Sequence, residues 1–283
     1  MAAKLMDGRR LSTDLRAQAQ RRVAALAARG VQVTVSVVRV GDDPASAGYA
    51  RSLAKTFGTA GAALTEEVLP ADAPAAAVGA RLAALSADPR VHGIMLQEPV
   101  PAGLDAAQLV LALAPEKDID GVHPLNAGRL FQGRPDGLVP ATALGGLLLL
   151  EQEGLPLAGA RAVVIGRSAI VGRPLALLLL HRHATVTICH TRTRDLAAVA
   201  READLLAVAV GRAGFVTTEF VAPGATVLDF GTNYLDGRVL GDVDPAVAEV
   251  AGALSPTPGG TGAVTTAVLL HNAVLAAERL TVR

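Results

Sequence analysis

The stretch Val163-Val-Ile-Gly-Arg-Ser-Ala-Ile-Val-Gly-Arg-Pro174 decides the fold of this 283-residue chain. It joins an apolar strand at 161–165 to a helix at 172–181. Glycines at such a junction let a phosphate approach the backbone, and a helix N-terminus offers unpaired N–H groups with partial positive charge. Because the spacing is not G-x-G-x-x-G, two interpretations stay open at this point: a phosphate or dinucleotide site, and an ordinary strand-to-helix turn.

The residues that follow predict a Rossmann-like domain. Strand patterns recur at 185–189, 205–210 and 226–230, and helical patterns cover 141–152 and 196–203. Strands that alternate with helices form parallel β-α-β units, with ligand sites at the carboxyl ends of the strands. We therefore assign residues 141–263 to a nucleotide-binding domain.

The first half of the chain predicts a second α/β domain, at 1–140. Helical patterns at 11–29, 46–60 and 74–87 alternate with strand patterns at 31–40, 66–69 and 91–96, and a turn-rich stretch follows at 128–140. The last apolar segment, 264–283, has the length of a helix, and we expect it to pack back on this first domain. The predicted fold class is thus α/β with two domains.

Composition narrows the functional class. Twenty-six basic and twenty-six acidic side chains cancel, so no excess charge steers the protein toward nucleic acid or an anionic membrane. No strictly apolar run approaches the ~20 residues of a membrane-spanning helix. The single cysteine, Cys189, fits a reducing compartment, and we predict a cytoplasmic protein. Six histidines show no metal-ligand spacing, so no metal site is predicted.

Two further motifs carry chemistry. In Cys189-His-Thr-Arg-Thr193, which ends the second Rossmann strand, Thr191 and Arg192 stand where an acidic residue would favour NAD, so NADP is preferred. In Lys117-Asp-Ile-Asp-Gly-Val-His-Pro124, a carboxylate can accept paired hydrogen bonds from an amidine-like edge such as that of a pterin. A solvated loop is the other interpretation of each motif.

Together these motifs resemble the bifunctional methylenetetrahydrofolate dehydrogenase/cyclohydrolase family along nearly the whole chain. The resemblance also rests on Val40-Gly-Asp-Asp-Pro-Ala-Ser-Ala-Gly-Tyr49, Gly241-Asp-Val-Asp244 and Pro258-Gly-Gly-Thr-Gly262. It implies a homodimer of two-domain subunits, with the folate substrate in a cleft between the domains and NADP on the Rossmann-like domain.

The resemblance also implies roles for individual residues. Cofactor contacts would come from Gly166, Arg167, Ser168, Thr191, Arg192 and Thr232, with the 2′-phosphate near the two arginines and Thr191. Tyr49, Gln97 and Asp120 would line the folate pocket, with Asp120 on the pterin edge.

Several positions depart from the family pattern, and all are expected near the folate. The family places a catalytic lysine four residues after the tyrosine, and this chain has Leu53. Lys55 is rotated from that position by about 200° around a helix axis. Glu98 stands where the family usually has an apolar residue, and Ala141, Ala143 and Ala263 replace a cysteine and two prolines of its loops.

These departures predict which of the two reactions survives. Oxidation of the methylene bridge moves a hydride and depends mainly on positioning. Hydrolysis of the methenyl product needs general acid–base catalysis, which a leucine cannot provide. We therefore predict an NADP-dependent methylenetetrahydrofolate dehydrogenase without cyclohydrolase activity. The alternatives are the full bifunctional enzyme, a non-catalytic folate- or NADP-binding paralogue, and a reductase of a non-folate imine.

Overall fold

The computed structural model describes residues 3–134 and 136–281. Its helices are α1 (Gly8–Ala27), α2 (Pro44–Thr59), α3 (Ala75–Ala87), α4 (Ala106–Leu109), α5 (Pro124–Phe131), α6 (Ala141–Gln152), α7 (Gly172–Leu180), α8 (Leu196–Ala200) and α9 (Thr261–Thr281). Its strands are β1 (Lys4–Leu5), β2 (Thr34–Val40), β3 (Ala63–Leu69), β4 (Gly93–Leu96), β5 (Arg161–Ile165), β6 (Thr185–Cys189), β7 (Leu205–Val208), β8 (Thr226–Asp229), β9 (Asn233–Leu235), β10 (Arg238–Leu240) and β11 (Ala253–Leu254).

The chain divides into two compact units. The first unit holds Asp14–Val139 and the residues from Leu269 onward, and the second holds the residues up to Thr13 and Pro140–Val268. The C-terminal part of α9 thus belongs to the first unit. The sequence analysis placed the N-terminal segment in the first domain, whereas residues 3–13 belong to the second unit.

The first unit is built on a three-stranded parallel sheet in the order β3-β2-β4. The central strand β2 has the sequence Thr-Val-Ser-Val-Val-Arg-Val, and all of it after Thr34 is buried. Such β-branched runs suit a parallel strand that is covered on both faces. Leu82 of α3 and Leu109 of α4 belong to the apolar core that covers β2 and β4.

The turn after β2 fixes the start of α2. Gly41 has φ +81°, and the Asp43 carboxylate accepts a hydrogen bond from the Ser46 N–H at 2.7 Å. Pro44 occupies the first helical turn, where no N–H is needed. This cap sets the register of the helix and therefore the faces on which Tyr49 and Leu53 lie.

The second unit contains a six-stranded sheet in the order β1-β11-β8-β7-β5-β6, and each neighbouring pair is parallel. Its core includes Val163, Ile165, Leu206, Val208 and Val227. The carboxyl ends of β5, β6, β7 and β8 meet along one edge, where ligands bind in open α/β sheets. A short antiparallel hairpin, β9 and β10, follows β8.

Two parts of the fold differ from the local sequence pattern. The N-terminus forms β1 because Lys4 pairs with Ala253, and the Gly8 N–H donates to the Gly259 carbonyl at 3.0 Å. The predicted turn-rich stretch from residue 128 begins inside α5. That helix forms because His123 Nδ1 accepts from the Leu125 N–H at 3.1 Å and Pro124 takes the first helical position.

Within the described ranges, no helix is long and apolar enough to cross a membrane.

Candidate active site

The loop between β5 and α7 is too tight for side chains at two positions. Gly166 has φ +126°, and a Cβ there would lie 2.2 Å from the Ala209 carbonyl oxygen. A Cβ on Gly172 would lie 2.2 Å from the Gly166 carbonyl oxygen. Both positions therefore require glycine, and the bare backbone runs close to the ends of the strands.

The start of α7 and the residues beside it suit an anion. Ser168 Oγ accepts from the Val171 N–H at 3.1 Å and lies at the positive end of the helix dipole. Arg167 is exposed, and its guanidinium makes no hydrogen bond or ion pair with any residue that the structure describes. A phosphate group at this place would contact backbone N–H groups at the start of α7 and also the unpaired guanidinium of Arg167.

The end of β6 lies directly beside this loop. Ile165 is in register with Cys189, and the Gly166 N–H donates to the Cys189 carbonyl at 2.9 Å. Cys189 is buried, whereas Thr191 and Arg192 are exposed. The backbone N–H of Arg192 donates to His190 Nδ1 at 3.1 Å. Its side chain forms no hydrogen bond or ion pair with any described residue. The two predicted cofactor motifs thus form one basic edge.

Thr232 lies farther along the same sheet, after β8. It is exposed and lines a cavity of about 310 Å³ with Arg9, Pro256, Pro258 and Gly262. The cavity therefore joins Thr232 to the Pro258-Gly-Gly-Thr-Gly262 motif.

Asp242 organises the loops on either side of Thr232, a role that the sequence analysis missed. It is fully buried, and its two carboxylate oxygens accept from the N–H groups of Val210, Gly211 and Arg212 at 2.7–2.8 Å. They also accept from Asn233 Nδ2 at 2.9 Å. Asp242 thus fixes the loop after β7 to the residue that follows Thr232. The motif Gly241-Asp-Val-Asp244 was its only sequence signal.

Tyr49 and Asp120 lie close together in the first unit. Burial, followed by the charges of Asp118 and Glu98, raises the pKa of Asp120 to about 7. Burial and the Asp120 charge raise the pKa of the Tyr49 phenol above its usual value. The hydroxyl of Tyr49 makes no hydrogen bond with another described residue. Neither the Tyr49 hydroxyl nor the Asp120 carboxyl thus has a hydrogen-bond partner among the residues that the structure describes.

The loop that carries Asp120 is held by buried polar groups. The Asp118 carboxylate accepts from the Gly121 N–H at 3.1 Å, the His123 N–H at 2.7 Å and Asn126 Nδ2 at 3.2 Å. From α9, Asn272 Nδ2 donates to the Ile119 carbonyl at 2.8 Å. Sequence spacing did not distinguish the two carboxylates of this motif, and the structure shows that Asp118 is the one that holds the loop.

Lys117, the first residue of the same motif, is structural. Its ammonium is buried and donates to the carbonyl of Ser86, in the last turn of α3, at 2.8 Å and to that of Asp88, the residue after the helix, at 2.7 Å. Burial lowers its pKa. Cations at a helix C-terminus satisfy carbonyls that have no intrahelical partner.

Gln97 packs against the first turn of α2. Its side chain is 2% exposed, and Nε2 donates to the Ser46 carbonyl at 2.8 Å. Its other polar atom, Oε1, is buried without a hydrogen-bond partner in the described part of the chain. An unpaired buried carbonyl costs about 1–3 kcal/mol. Because such groups are rare in native proteins, Gln97 Oε1 is a candidate contact for a ligand.

The position at which the resemblance implies a catalytic lysine is apolar and closed. Leu53 is 1% exposed, and it lies on the buried face of α2 with Ala50 and Phe57. Lys55 is exposed on another face of the same helix. The structure therefore brings no lysine of α2 to the buried face that packs beside Gln97.

No group of three or more His, Cys, Asp or Glu side chains suited to a metal ion is found among the described residues.

Comparisons with known proteins assign both halves of the chain to one family. The model for the "Tetrahydrofolate dehydrogenase/cyclohydrolase, catalytic domain" matches residues 6–120. The model for the "Tetrahydrofolate dehydrogenase/cyclohydrolase, NAD(P)-binding domain" matches residues 140–281. The second match covers the glycine loop, the basic edge and Asp242.

Relatives match over the full length. The "Bifunctional protein FolD" of Chloroflexus aurantiacus is 53% identical over 279 residues, which is 98% of each chain. The crystal structure of the bifunctional FolD enzyme from Campylobacter jejuni is 37% identical, with a TM-score of 0.96 over 98% of this chain and 99% of that one. The Trypanosoma brucei enzyme, solved with NADP and an inhibitor, is 32% identical, with a TM-score of 0.94 over 100% of each chain.

The two-domain α/β fold predicted from the sequence is confirmed. The glycine loop, the paired carboxylates of 117–124 and the full-length matches lead to the same conclusion: this chain belongs to the tetrahydrofolate dehydrogenase/cyclohydrolase family.

Proposed function

We propose that this protein oxidises methylenetetrahydrofolate to methenyltetrahydrofolate with NADP, and that it does not hydrolyse the product. The claim that the product is not hydrolysed rests on one observation: Leu53 is buried at the position of the family's catalytic lysine. Gln97 Oε1, in turn, lacks a hydrogen-bond donor among the described residues. The dehydrogenase half follows from membership of the family.

NADP is the cofactor, as the sequence predicted. The residues present fit it. Gly166 and Gly172 keep side chains out of the loop, Ser168 lies at the N-terminus of α7, and Arg167 and Arg192 offer two unpaired guanidinium groups. The two arginines and Thr191 are proposed to hold the 2′-phosphate, and Thr232 to contact the nicotinamide half. When bound, NADP supplies the hydride acceptor for the oxidation.

On the substrate side, Asp120 is proposed to accept two hydrogen bonds from the pterin edge. Asp118 and Asn126 position it by holding its loop. Tyr49 and Gln97 offer a hydroxyl and an unpaired carbonyl to the rest of the folate. Oxidation requires no proton transfer at carbon, so positioning contacts of this kind supply most of its catalysis.

Hydrolysis needs a group that moves protons near neutral pH. Leu53 has none, and Lys55 is exposed on a different face of α2. Tyr49 is a poor candidate for the general base, because burial and the Asp120 charge raise the pKa of its phenol above the already high usual value. Asp120 is assigned to the pterin edge. These facts favour the dehydrogenase without cyclohydrolase over the full bifunctional enzyme.

A spectrophotometric assay tests the dehydrogenase. With methylenetetrahydrofolate as substrate, we expect NADPH formation to be faster with NADP than NADH formation with NAD at equal concentrations. No reduced nicotinamide with either cofactor, despite measurable folate and NADP binding, would instead favour the non-catalytic paralogue or another imine substrate.

We also propose a homodimer in the cytoplasm, without nucleic acid or membrane partners. Family membership supports the dimer, and β6 ends its sheet with Ile188 43% exposed. The single cysteine supports the cytoplasmic compartment. The balance of acidic and basic residues supports the absence of a nucleic-acid partner. Sedimentation at micromolar concentration tests the dimer, which a monomer-sized species would contradict.

A further inference from the structure

Arg9 lines the same cavity as Thr232, and its charge has no protein partner. The cavity has a volume of about 310 Å³, and the Pro258-Gly-Gly-Thr-Gly262 motif contributes to its wall. The guanidinium of Arg9 forms no hydrogen bond or ion pair with any residue that the structure describes. None of the described residues that line the cavity is acidic. The cavity therefore has one uncompensated positive charge at its edge.

Backbone contacts hold Arg9 at this place. The Gly8 N–H donates to the Gly259 carbonyl at 3.0 Å, and a side chain on Gly8 would collide with the Gly260 carbonyl oxygen, so glycine is required for this approach. The Asp7 carboxylate accepts from the backbone N–H of Arg9 at 2.9 Å. The guanidinium packs against Gly259, because a Cβ built on that glycine would lie 3.5 Å from Arg9 Cζ, Nε and Nη2.

Thr232 packs against the other end of the same motif. Its Cγ2 would lie 3.6 Å from a Cβ built on Gly262, whereas Arg9 contacts Gly259. A sphere with the volume of this cavity is about 8 Å across. A group held beside Thr232 in the cavity thus comes within about one Debye length of the Arg9 charge.

The order of the strands indicates which part of NADP reaches the cavity. The residues proposed for the 2′-phosphate follow β6, and the glycine loop, where Rossmann-like domains hold the pyrophosphate, follows the neighbouring strand β5. In the same direction the sheet continues through β7 and β8 to β11. Thr232 follows β8, and the residues that follow β11 form the other side of the cavity. The nicotinamide, at the end of the cofactor opposite to the adenosine, is therefore the part that meets the cavity.

The charge of the nicotinamide ring changes in the proposed reaction. The ring of NADP⁺ carries one positive charge. The methylene carbon of the folate loses a hydride, with both electrons of its C–H bond, and a new C–H bond forms on the nicotinamide ring. The ring becomes neutral in NADPH, and the folate becomes a cation. A fixed positive charge beside the ring therefore repels the oxidised cofactor and not the reduced one.

We propose that Arg9 is a specificity-determining residue for the redox state of the cofactor: its guanidinium disfavours NADP⁺ relative to NADPH and makes bound NADP⁺ a stronger hydride acceptor. This inference rests on the proposed dehydrogenase function, and within it on the contact of Thr232 with the nicotinamide half. A protein that binds one of two states more tightly shifts the equilibrium between them by the ratio of its two affinities. Arg9 thus contributes to the driving force of the oxidation.

Arg9→Gln tests the inference, because it removes the charge and keeps most of the length of the side chain. The readout is equilibrium binding of NADP⁺ and of NADPH, measured separately by calorimetry without folate. The two forms carry the same phosphates, so the ratio of their dissociation constants cancels effects on the basic edge. We expect the preference for NADPH over NADP⁺ to fall about two- to fivefold, as for one exposed charge several ångströms away.

Two further variants separate charge from structure. Arg9→Lys keeps a positive charge near the same place, and it should keep the preference close to that of the unmodified protein. Arg10→Gln is the matched control: Arg10 is the next residue of α1, is exposed and does not line the cavity. The same loss of charge at Arg10 should change the ratio by less than half as much. The effect of Arg9→Gln should also shrink as the salt concentration rises, because an exposed charge is screened.

Two results would overturn the inference. An unchanged ratio in Arg9→Gln, even if both forms bind more weakly, would show that the guanidinium does not act on the ring charge. Equal changes of the ratio in Arg9→Gln and Arg10→Gln would assign the effect to the overall charge of α1. Either result leaves the dehydrogenase assignment intact if the unmodified protein makes NADPH from methylenetetrahydrofolate. If it makes none and the ratio still falls as expected, Arg9 acts as proposed and the proposed substrate is wrong.

Discussion

Replacing Asp242 by asparagine removes half of the acceptors that hold the loop after β7. Each carboxylate oxygen accepts two hydrogen bonds: one takes the N–H groups of Val210 and Gly211, and the other those of Arg212 and the Asn233 amide. An asparagine keeps one oxygen and turns its NH₂ group toward the two remaining donors. Because those donors are partly buried, we take about 1–1.5 kcal/mol for each lost bond, or about 2–3 kcal/mol in total.

This loss has two measurable consequences. At about 2–4 °C per kcal/mol for a domain of this size, Tm falls by about 4–12 °C in scanning calorimetry. The NADP dissociation constant rises about threefold or more, because the loop and Asn233 lie next to Thr232, while folate affinity changes little.

Asp244→Asn is the matched control for this experiment. Asp244 lies two residues away and accepts a bond from the Ala246 N–H at 2.8 Å at the start of a 3₁₀ helix, so its Tm should fall by at most about a third as much. Asp242→Asn with a Tm within 1 °C of the unmodified protein, or equal effects of the two substitutions, would refute this account of the loop.

Three further predictions concern the ligands. Arg192→Ala should weaken NADP binding about tenfold through loss of a charge-assisted hydrogen bond and leave NAD binding unchanged. Equal calorimetric affinities of the unmodified protein for NADP and NAD would contradict the assignment of Arg192 to the 2′-phosphate. Tetrahydrofolate affinity should fall about tenfold from pH 8 to pH 6, because the Asp120 pKa is raised to about 7 and protonation removes the acceptor; a flat profile would refute this role. Leu53→Lys should lower Tm because it buries an ammonium in an apolar place, and it should restore some methenyl hydrolysis if Gln97 Oε1 accepts a hydrogen bond from that ammonium. A variant that folds without any gain in hydrolysis would show that the neighbouring loops have also changed.

Local patterns were sufficient to predict the glycine turn between a strand and a helix, and the neighbouring strand that ends at Cys189. Glycines 166 and 172 follow a strand and open a helix, and parallel pairing of β5 with β6 then brings Gly166 to Cys189 without further information. The same logic predicted both sheets, because β-branched runs separated by helical patterns admit few arrangements.

Contacts between distant residues could not be predicted in this way. Asp242 binds N–H groups about thirty positions earlier in the chain, and no periodicity encodes that distance. Strand β1 has two residues, too few for a pattern, and forms only because β11 offers an edge. Lys117 shares a motif with Asp120, yet its ammonium caps α3.

Leu53 shows what each level of evidence contributes. The sequence alone identified it as a departure from the family pattern and predicted a lost activity. That the leucine is buried, and that the Gln97 carbonyl beside α2 is left without a donor, depends on packing that only the structure reveals.

The fate of the methenyl product tests the central claim most directly. Unmodified protein is mixed with methylenetetrahydrofolate and NADP, and NADPH and methenyltetrahydrofolate are followed together by absorbance. We predict that the two rise in a one-to-one ratio, and that methenyltetrahydrofolate supplied alone disappears no faster than in buffer. NADPH without accumulation of the methenyl product, together with protein-dependent loss of the supplied compound, would contradict the account and show that another base, with Asp120 and Lys55 the first to test, has replaced the lysine.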